Sequence, residues 1–245
     1  MNLEEFCNRF EDITGRGEKI SHVLREGQSL LSELMATTEW FQVFLKRIVM
    51  DTAFRQQQKP SRWLNEYTVH RSPAGNFVIL AYIWEPYQID VIHDHNSWGI
   101  IGTLMGKVRE YKYRRIDDGA RDDYAELEEI SHRLVMPGDT SSVMPLDEGI
   151  HRMENLANCS ISINVYGKSY RKGYLRYYDL ENRTVTRAYS YPLYRPALAL
   201  RALGYMGGAM AKNILEETAK DSGEDLLKKE AELSLEKLRH NPIIR

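Results

Sequence analysis

The chain has 245 residues, 42% hydrophobic and 28% charged, with 33 basic and 35 acidic side chains and a formal net charge of −2. That balance argues against a strongly basic nucleic-acid binder and leaves no global field to draw the chain to an anionic membrane. Only two cysteines are present, Cys7 and Cys159, which excludes a disulfide-stapled scaffold and a zinc finger.

Residues 1–60 are expected to form a helical segment packed on a larger body. Phe6, Phe10 and Ile13 recur at spacings of four and three, Leu30, Leu31 and Leu34 keep the period, and Trp40, Phe41, Phe44, Leu45 and Ile48 continue it. The first residues are charged throughout and lack the apolar run of a secretory signal, so a cytoplasmic location is expected. The polar run Gln56-Gln57-Gln58-Lys59 followed by Pro60 marks a boundary.

Residues 61–190 have a different texture. Short runs rich in β-branched and aromatic residues occupy 76–84, 91–93, 99–106, 108–113, 132–136, 140–144 and 160–166. Turn residues separate them, notably Pro137-Gly138-Asp139 and Asp147-Glu148-Gly149. This pattern predicts an all-β sandwich or barrel. Residues 191–245 return to Ala, Leu, Lys and Glu and predict a helical extension, with helices over Leu198–Ala211 and Glu224–Leu238. No stretch is long and apolar enough to span a bilayer.

Of the seven histidines, His22, His70, His132 and His240 are scattered along the chain. His93 and His95 lie two apart in the strand-like segment Asp90-Val-Ile-His-Asp-His95. A strand sends alternate side chains to one face, so both imidazoles point the same way while Asp94 points the other. Two imidazoles so placed form a natural grip for a transition metal. A second block reads Gly149-Ile-His151-Arg-Met-Glu-Asn155. In 160–166, Ile161, Ile163 and Val165 alternate with Ser160, Ser162, Asn164 and Tyr166, which places a polar row on one face of a strand.

The two histidine blocks, with Gly106 trailing the first, resemble the two halves of the cupin signature. The resemblance implies an all-β core, a double-stranded jelly-roll barrel, here with α-helical N- and C-terminal extensions. Most metal cupins place a glutamate four residues after the second histidine of the pair, and here that position is Gly99. The resemblance then implies three neutral ligands, His93, His95 and His151. The run His-Asp-His-Asn-Ser-Trp-Gly, from His93 to Gly99, resembles the thiol dioxygenases, the family of cysteine dioxygenase and 3-mercaptopropionate dioxygenase. The similarity covers roughly Tyr67 to Asp179.

That family implies one Fe(II) per chain, a small thiol (cysteine or a mercapto-carboxylate) and O2 as substrates, and a sulfinate as product. It carries Ser-x-His-x-Tyr where this chain offers Ser162, Asn164 and Tyr166, so the catalytic row implied here has an amide in place of an imidazole. An amide can hydrogen-bond Tyr166 and cannot carry a proton as a cation. The substrate's acid group is expected on Arg176, with Tyr82 and Trp98 lining the pocket. Tyr82 and Trp84 alternate along their strand and are open to a purely structural reading. Neither nucleic acid nor membrane is an expected partner, and a homo-oligomer through the helical extensions is compatible with the sequence. Two other readings stay open: a metal cupin of different chemistry, such as an isomerase or a carbon-substrate dioxygenase, and a non-catalytic binding cupin.

Overall fold

The first helix begins where Asn2 caps it, its side chain accepting from the Glu5 amide at 2.9 Å, with Glu4 and Glu5 in the first turn beside the positive end of the helix dipole. The structure is a computed structural model and describes residues 1–58 and 62–240. Pro60, read as a boundary, lies outside the described residues. The chain divides into two compact units, Met1–Arg187 and Ala188–Arg245.

In the first unit, helices α1 (Leu3–Gly15), α2 (Ile20–Met35), α3 (Glu39–Met50) and α4 (Thr52–Gln56) precede the strands. These are β1 (Glu66–Arg71), β2 (Phe77–Trp84), β3 (Ile92–His95), β4 (Gly99–Met105), β5 (Val108–Arg115), β6 (Leu127–Val135), β7 (Thr140–Val143), β8 (Leu146–Asn155), β9 (Ser160–Gly167), β10 (Tyr174–Asp179) and β11 (Thr184–Tyr189). Two sheets result, ordered β1-β2-β9-β4-β7 and β11-β10-β3-β8-β5-β6.

The faces of the first sheet follow from register. On β9, Ser162 pairs with Tyr82 of β2 and Thr103 of β4, and Asn164 pairs with Leu80 and Ile101. Cross-strand partners share a face, so the polar row of β9 lies with Tyr82, Trp84 and Ile101, the last three gathered with Val108, Val143 and Met153 in one apolar cluster. The other face carries Ile79, Ala81, Ile100, Ile161, Ile163 and Val165, and it packs with Phe6, Phe10, Leu31 and Leu34 of the N-terminal helices. Phe10 is fully buried, edge-on to Phe77 at 4.8 Å. Burial of such side chains, worth about 1.5–3 kcal/mol each, is what holds the amphipathic helices to the sheet.

The strands differ from the sequence reading in three places. Asp147-Glu148-Gly149 lies inside β8 and is not a turn. A Cβ on Gly149 would sit 1.9 Å from the Met144 carbonyl, so glycine here admits a close backbone approach. Strand β6 begins at Leu127, well before His132; its early residues are mostly exposed and show no apolar alternation to mark them as a strand. Strands β1, β10 and β11 carry too many polar residues to announce themselves by period. At Gly106, φ is +85° and a Cβ would fall 2.1 Å from Ser160 Oγ, so only glycine fits that turn.

The second unit holds α5 (Tyr194–Met206), α6 (Gly208–Asp221) and α7 (Asp225–His240) around Leu200, Leu215 and Ala231. Buried Glu230 accepts from Tyr189 Oη at 2.8 Å and from Arg201 Nε at 2.5 Å. Among the described residues, no helix is long and apolar enough to cross a membrane.

Candidate metal centre

Strands β3 and β8 run antiparallel with His93 directly opposite His151. His95 follows two residues on, so three imidazoles meet on one face of the second sheet. Their ring centroids are 4.9, 4.9 and 4.7 Å apart, and their ligand atoms all lie within 4.8 Å of one another. All three are buried. Each ring is oriented from behind through Nδ1: His93 donates to the Val91 carbonyl at 2.8 Å, His95 to the Gly149 carbonyl at 3.1 Å, and His151 to Glu110 Oε1 at 3.0 Å. These oxygens can only accept, so the hydrogen sits on Nδ1 and Nε2 presents its lone pair. His95 Nε2 is buried with no hydrogen-bond partner. A polar atom left so is costly unless something satisfies it. Three neutral nitrogen donors converging on one point fit a divalent transition metal.

Burial depresses the His93 and His95 pKa values below the ordinary 6.5, most strongly for His95, where the neighbouring His151 and His93 add to the effect. Both are therefore neutral at physiological pH. The sign for stability follows: with the folded values below the unfolded ones, the unfolded chain binds more protons as pH falls past 6.5. The metal-free protein is expected to hold its full stability above that pH and lose it progressively below. A melting temperature of metal-free protein that does not fall between about pH 7 and pH 5 would contradict this.

The facing wall comes from β9 and β2. The Tyr166 ring lies 5.6 Å from that of His95, nearly parallel at 26°. Asn164 Nδ2 donates to Tyr166 Oη at 3.0 Å, while Asn164 Oδ1 is buried and unpartnered. Burial pushes the Tyr166 hydroxyl well above its ordinary pKa, against the opposing pull of that hydrogen bond, so it keeps its proton. With Asn164 filling an acceptor position, the Tyr166 O–H remains free to donate. Ser162 takes another course: its Oγ accepts from Trp84 Nε1 at 3.1 Å. Tyr82 is buried on the same face and donates to Glu66 at 2.8 Å.

Gly99 stands opposite Tyr166 on β4. A Cβ there would meet the Tyr166 ring at 2.5 Å and Val143 at 3.0 Å, so the tyrosine ring fills the space where a side chain at this position would extend. That is a physical reason for a site with three histidines and no carboxylate ligand. If the histidines hold a metal at which Tyr166 assists a reaction, Gly99→Ala is expected to push Tyr166 aside, leave metal content unchanged, and lower turnover by on the order of 100-fold. Metal content and turnover measured side by side would check it.

Two residues assigned to the substrate on sequence grounds lie elsewhere. Trp98 belongs to the apolar cluster of the helical face, 6.3 Å from Phe10, because it precedes β4 in phase with Ile100 and not with Gly99. Arg176 is likewise on the wrong face: Tyr177 pairs with His93, and alternation turns Arg176 away. Its guanidinium binds Asp147 at 3.2 Å and Asp122 at 3.6 Å. The Arg171 side chain is 14% exposed and pairs with fully buried Asp94 at 2.5 Å.

Two other residues were missed. Glu110 carries no motif, since its partner His151 is 41 positions away. Arg62 follows the Pro60 boundary and had no visible reason to be singled out. Its guanidinium lies 5.3 Å from the Trp63 ring, which in turn lies 5.5 Å from His93. Burial draws the Arg62 pKa down, against the opposing pull of Tyr177, Glu66 and Tyr82.

No protein-family model matches the chain. Solved structures similar to it include two cupin proteins and a dioxygenase. One from Desulfitobacterium hafniense is 12% identical, covering 42% of this chain and 74% of its own, with a TM-score of 0.30. A cupin 2 conserved barrel domain protein from Salinispora arenicola is 16% identical, covering 46% and 83%, with a TM-score of 0.32. Hydroquinone 1,2-dioxygenase, solved with Cd2+ and 4-hydroxybenzonitrile, is 12% identical, covering 47% and 69%, with a TM-score of 0.34.

Proposed function

We propose that this chain is a thiol dioxygenase, which adds both atoms of O2 to the sulfur of a small thiol bearing an acid group. The reaction balances without a further reductant: a thiolate and O2 give a sulfinate, the O–O bond breaks, two S–O bonds form, and sulfur gives up four electrons. His93, His95 and His151 would hold Fe(II), which when bound supplies the redox centre for the thiolate and O2. The observation that carries this reading is the Tyr166 ring packed against Gly99 beside three buried histidines. It leaves the ligand set neutral and puts a protonated hydroxyl next to it.

The chain's own residues then have separate tasks. Tyr166 donates a hydrogen bond toward the reacting group, held in that role by Asn164. Arg62 takes the substrate's carboxylate by charge and paired hydrogen bonds. Tyr82, Trp84, Ile101 and Val143 make the surrounding wall apolar and keep bulk water out.

The test is oxygen uptake by protein loaded anaerobically with Fe(II), offered cysteine, 3-mercaptopropionate, cysteamine and mercaptosuccinate in turn. Stoichiometric sulfinate from an acid-bearing thiol is expected. An iron-loaded protein that consumes no oxygen with any of the four overturns the reading and favours a binding cupin, for which Asn164 in place of an imidazole is the strongest argument.

A further inference from the structure

The three histidines are not held alike. His93 and His95 rest on backbone carbonyls, neutral acceptors, whereas His151 rests on a carboxylate. That carboxylate, Glu110, projects from β5, where its register partner on β8 is Met153, two residues from His151 on the same face. Glu110 is 1% exposed. A buried carboxylate is expensive unless every lone pair is met, and here the surroundings meet them. Oε1 accepts from His151 Nδ1 at 3.0 Å, and Oε2 accepts from Ser141 Oγ at 2.6 Å. Lys112 Nζ lies 4.0 Å from Oε1 and Arg133 Nε lies 3.7 Å from Oε2. Lys112 itself is the cross-strand neighbour of His151. Two cations and two donors thus keep an anion in the interior, in contact with only one of the three imidazoles.

A purely structural role would be served as well by an amide or by apolar packing of similar volume. The contact made suggests a different one. An anion accepting from Nδ1 draws that proton toward itself and raises the electron density at Nε2, so the imidazole becomes a stronger ligand and its ring plane is locked.

We propose that Glu110 is the positioning residue of the metal centre: acting through His151, it supplies from behind the ring the negative charge that the direct ligands lack. This rests on the reading that the three histidines hold a divalent metal. It makes the site uneven, with His151 the strongest donor and the first to engage an incoming ion. It also gives Ser141 and Lys112 a purpose, since both keep Glu110 ionised and aimed.

The experiment uses the full chain and Co(II) as the probe, with affinity measured by competition against a chelator and the ligand field read from the visible absorption of the bound ion. Glu110→Gln keeps the volume and an acceptor oxygen but removes the charge. Glu110→Asp keeps the charge and withdraws it from His151. Both are expected to bind Co(II) about 10–100-fold more weakly than the native chain and to shift its absorption bands, with a folded circular dichroism spectrum before metal is added. If Glu110→Gln does not fold, Glu110→Asp decides. Native affinity and native bands in the folded variants would overturn the proposal while leaving the metal reading intact. A native chain that takes up no Co(II) would remove both.

Discussion

If the three histidines hold a metal, His95→Ala is expected to release it. His95 Nε2 is the buried ligand atom for which the folded chain offers no alternative partner, and its ring is already oriented by the Gly149 carbonyl. Structural zinc sites with four ligands contribute roughly 10–16 kcal/mol, about 2.5–4 kcal/mol per ligand, so one lost ligand of three should weaken binding on the order of 100-fold or more. The folded metal-free chain should tolerate the change, because the substitution also removes an imidazole that burial makes hard to protonate. His132→Ala is the control: His132 is exposed and bonded to Glu129 at 2.8 Å, and it should leave metal content unchanged. Metal measured after exhaustive dialysis tests both, and one equivalent retained by His95→Ala would exclude that residue as a ligand.

Arg62→Gln should act on a different parameter. If Arg62 grips the substrate's carboxylate, removing its charge should raise KM for cysteine and 3-mercaptopropionate by about 10–100-fold, the equivalent of a charge-assisted hydrogen bond or two. Cysteamine, which has no carboxylate, should be indifferent to the change. Arg176→Gln should behave oppositely, leaving KM alone and lowering stability, since Asp147 and Asp122 would each lose one of their two arginine partners. An equal rise in KM for the acid thiols in the Arg176 variant, with none in Arg62→Gln, would restore the assignment made on sequence grounds.

That exchange of one arginine for another shows where sequence reasoning stops. Arg176 was the arginine that the family resemblance implied for the substrate's acid group. Strand alternation decides whether such a residue faces inward, and the phase of β10 could not be read because Tyr174-Leu-Arg-Tyr-Tyr-Asp179 has no clean apolar period. One residue of register moves a side chain to the other face of the sheet, and Trp98 was misplaced for the same reason. The phase of β9 was legible, because Ile161, Ile163 and Val165 alternate without exception. Its polar row accordingly lies where expected, with Asn164 and Tyr166 together beside His95.

The sequence by itself determined the histidine pair on one face of a strand, the third histidine in a later block, the absence of a carboxylate at position 99, the β character of the middle of the chain, and the helices before and after it. Each of these is a local property, written in side-chain type and period within a few residues. Only the tertiary structure decided which residues surround those histidines. Glu110 reaches His151, Tyr166 fills the space at Gly99, and the Trp63 ring, which carries Arg62 on its other side, lies 5.5 Å from His93; Glu110, Tyr166 and Trp63 are each distant in sequence from the residue they meet. Such meetings depend on strand order, register and the folding of one sheet over the other, which are settled by the burial of the whole chain and leave no spacing to read.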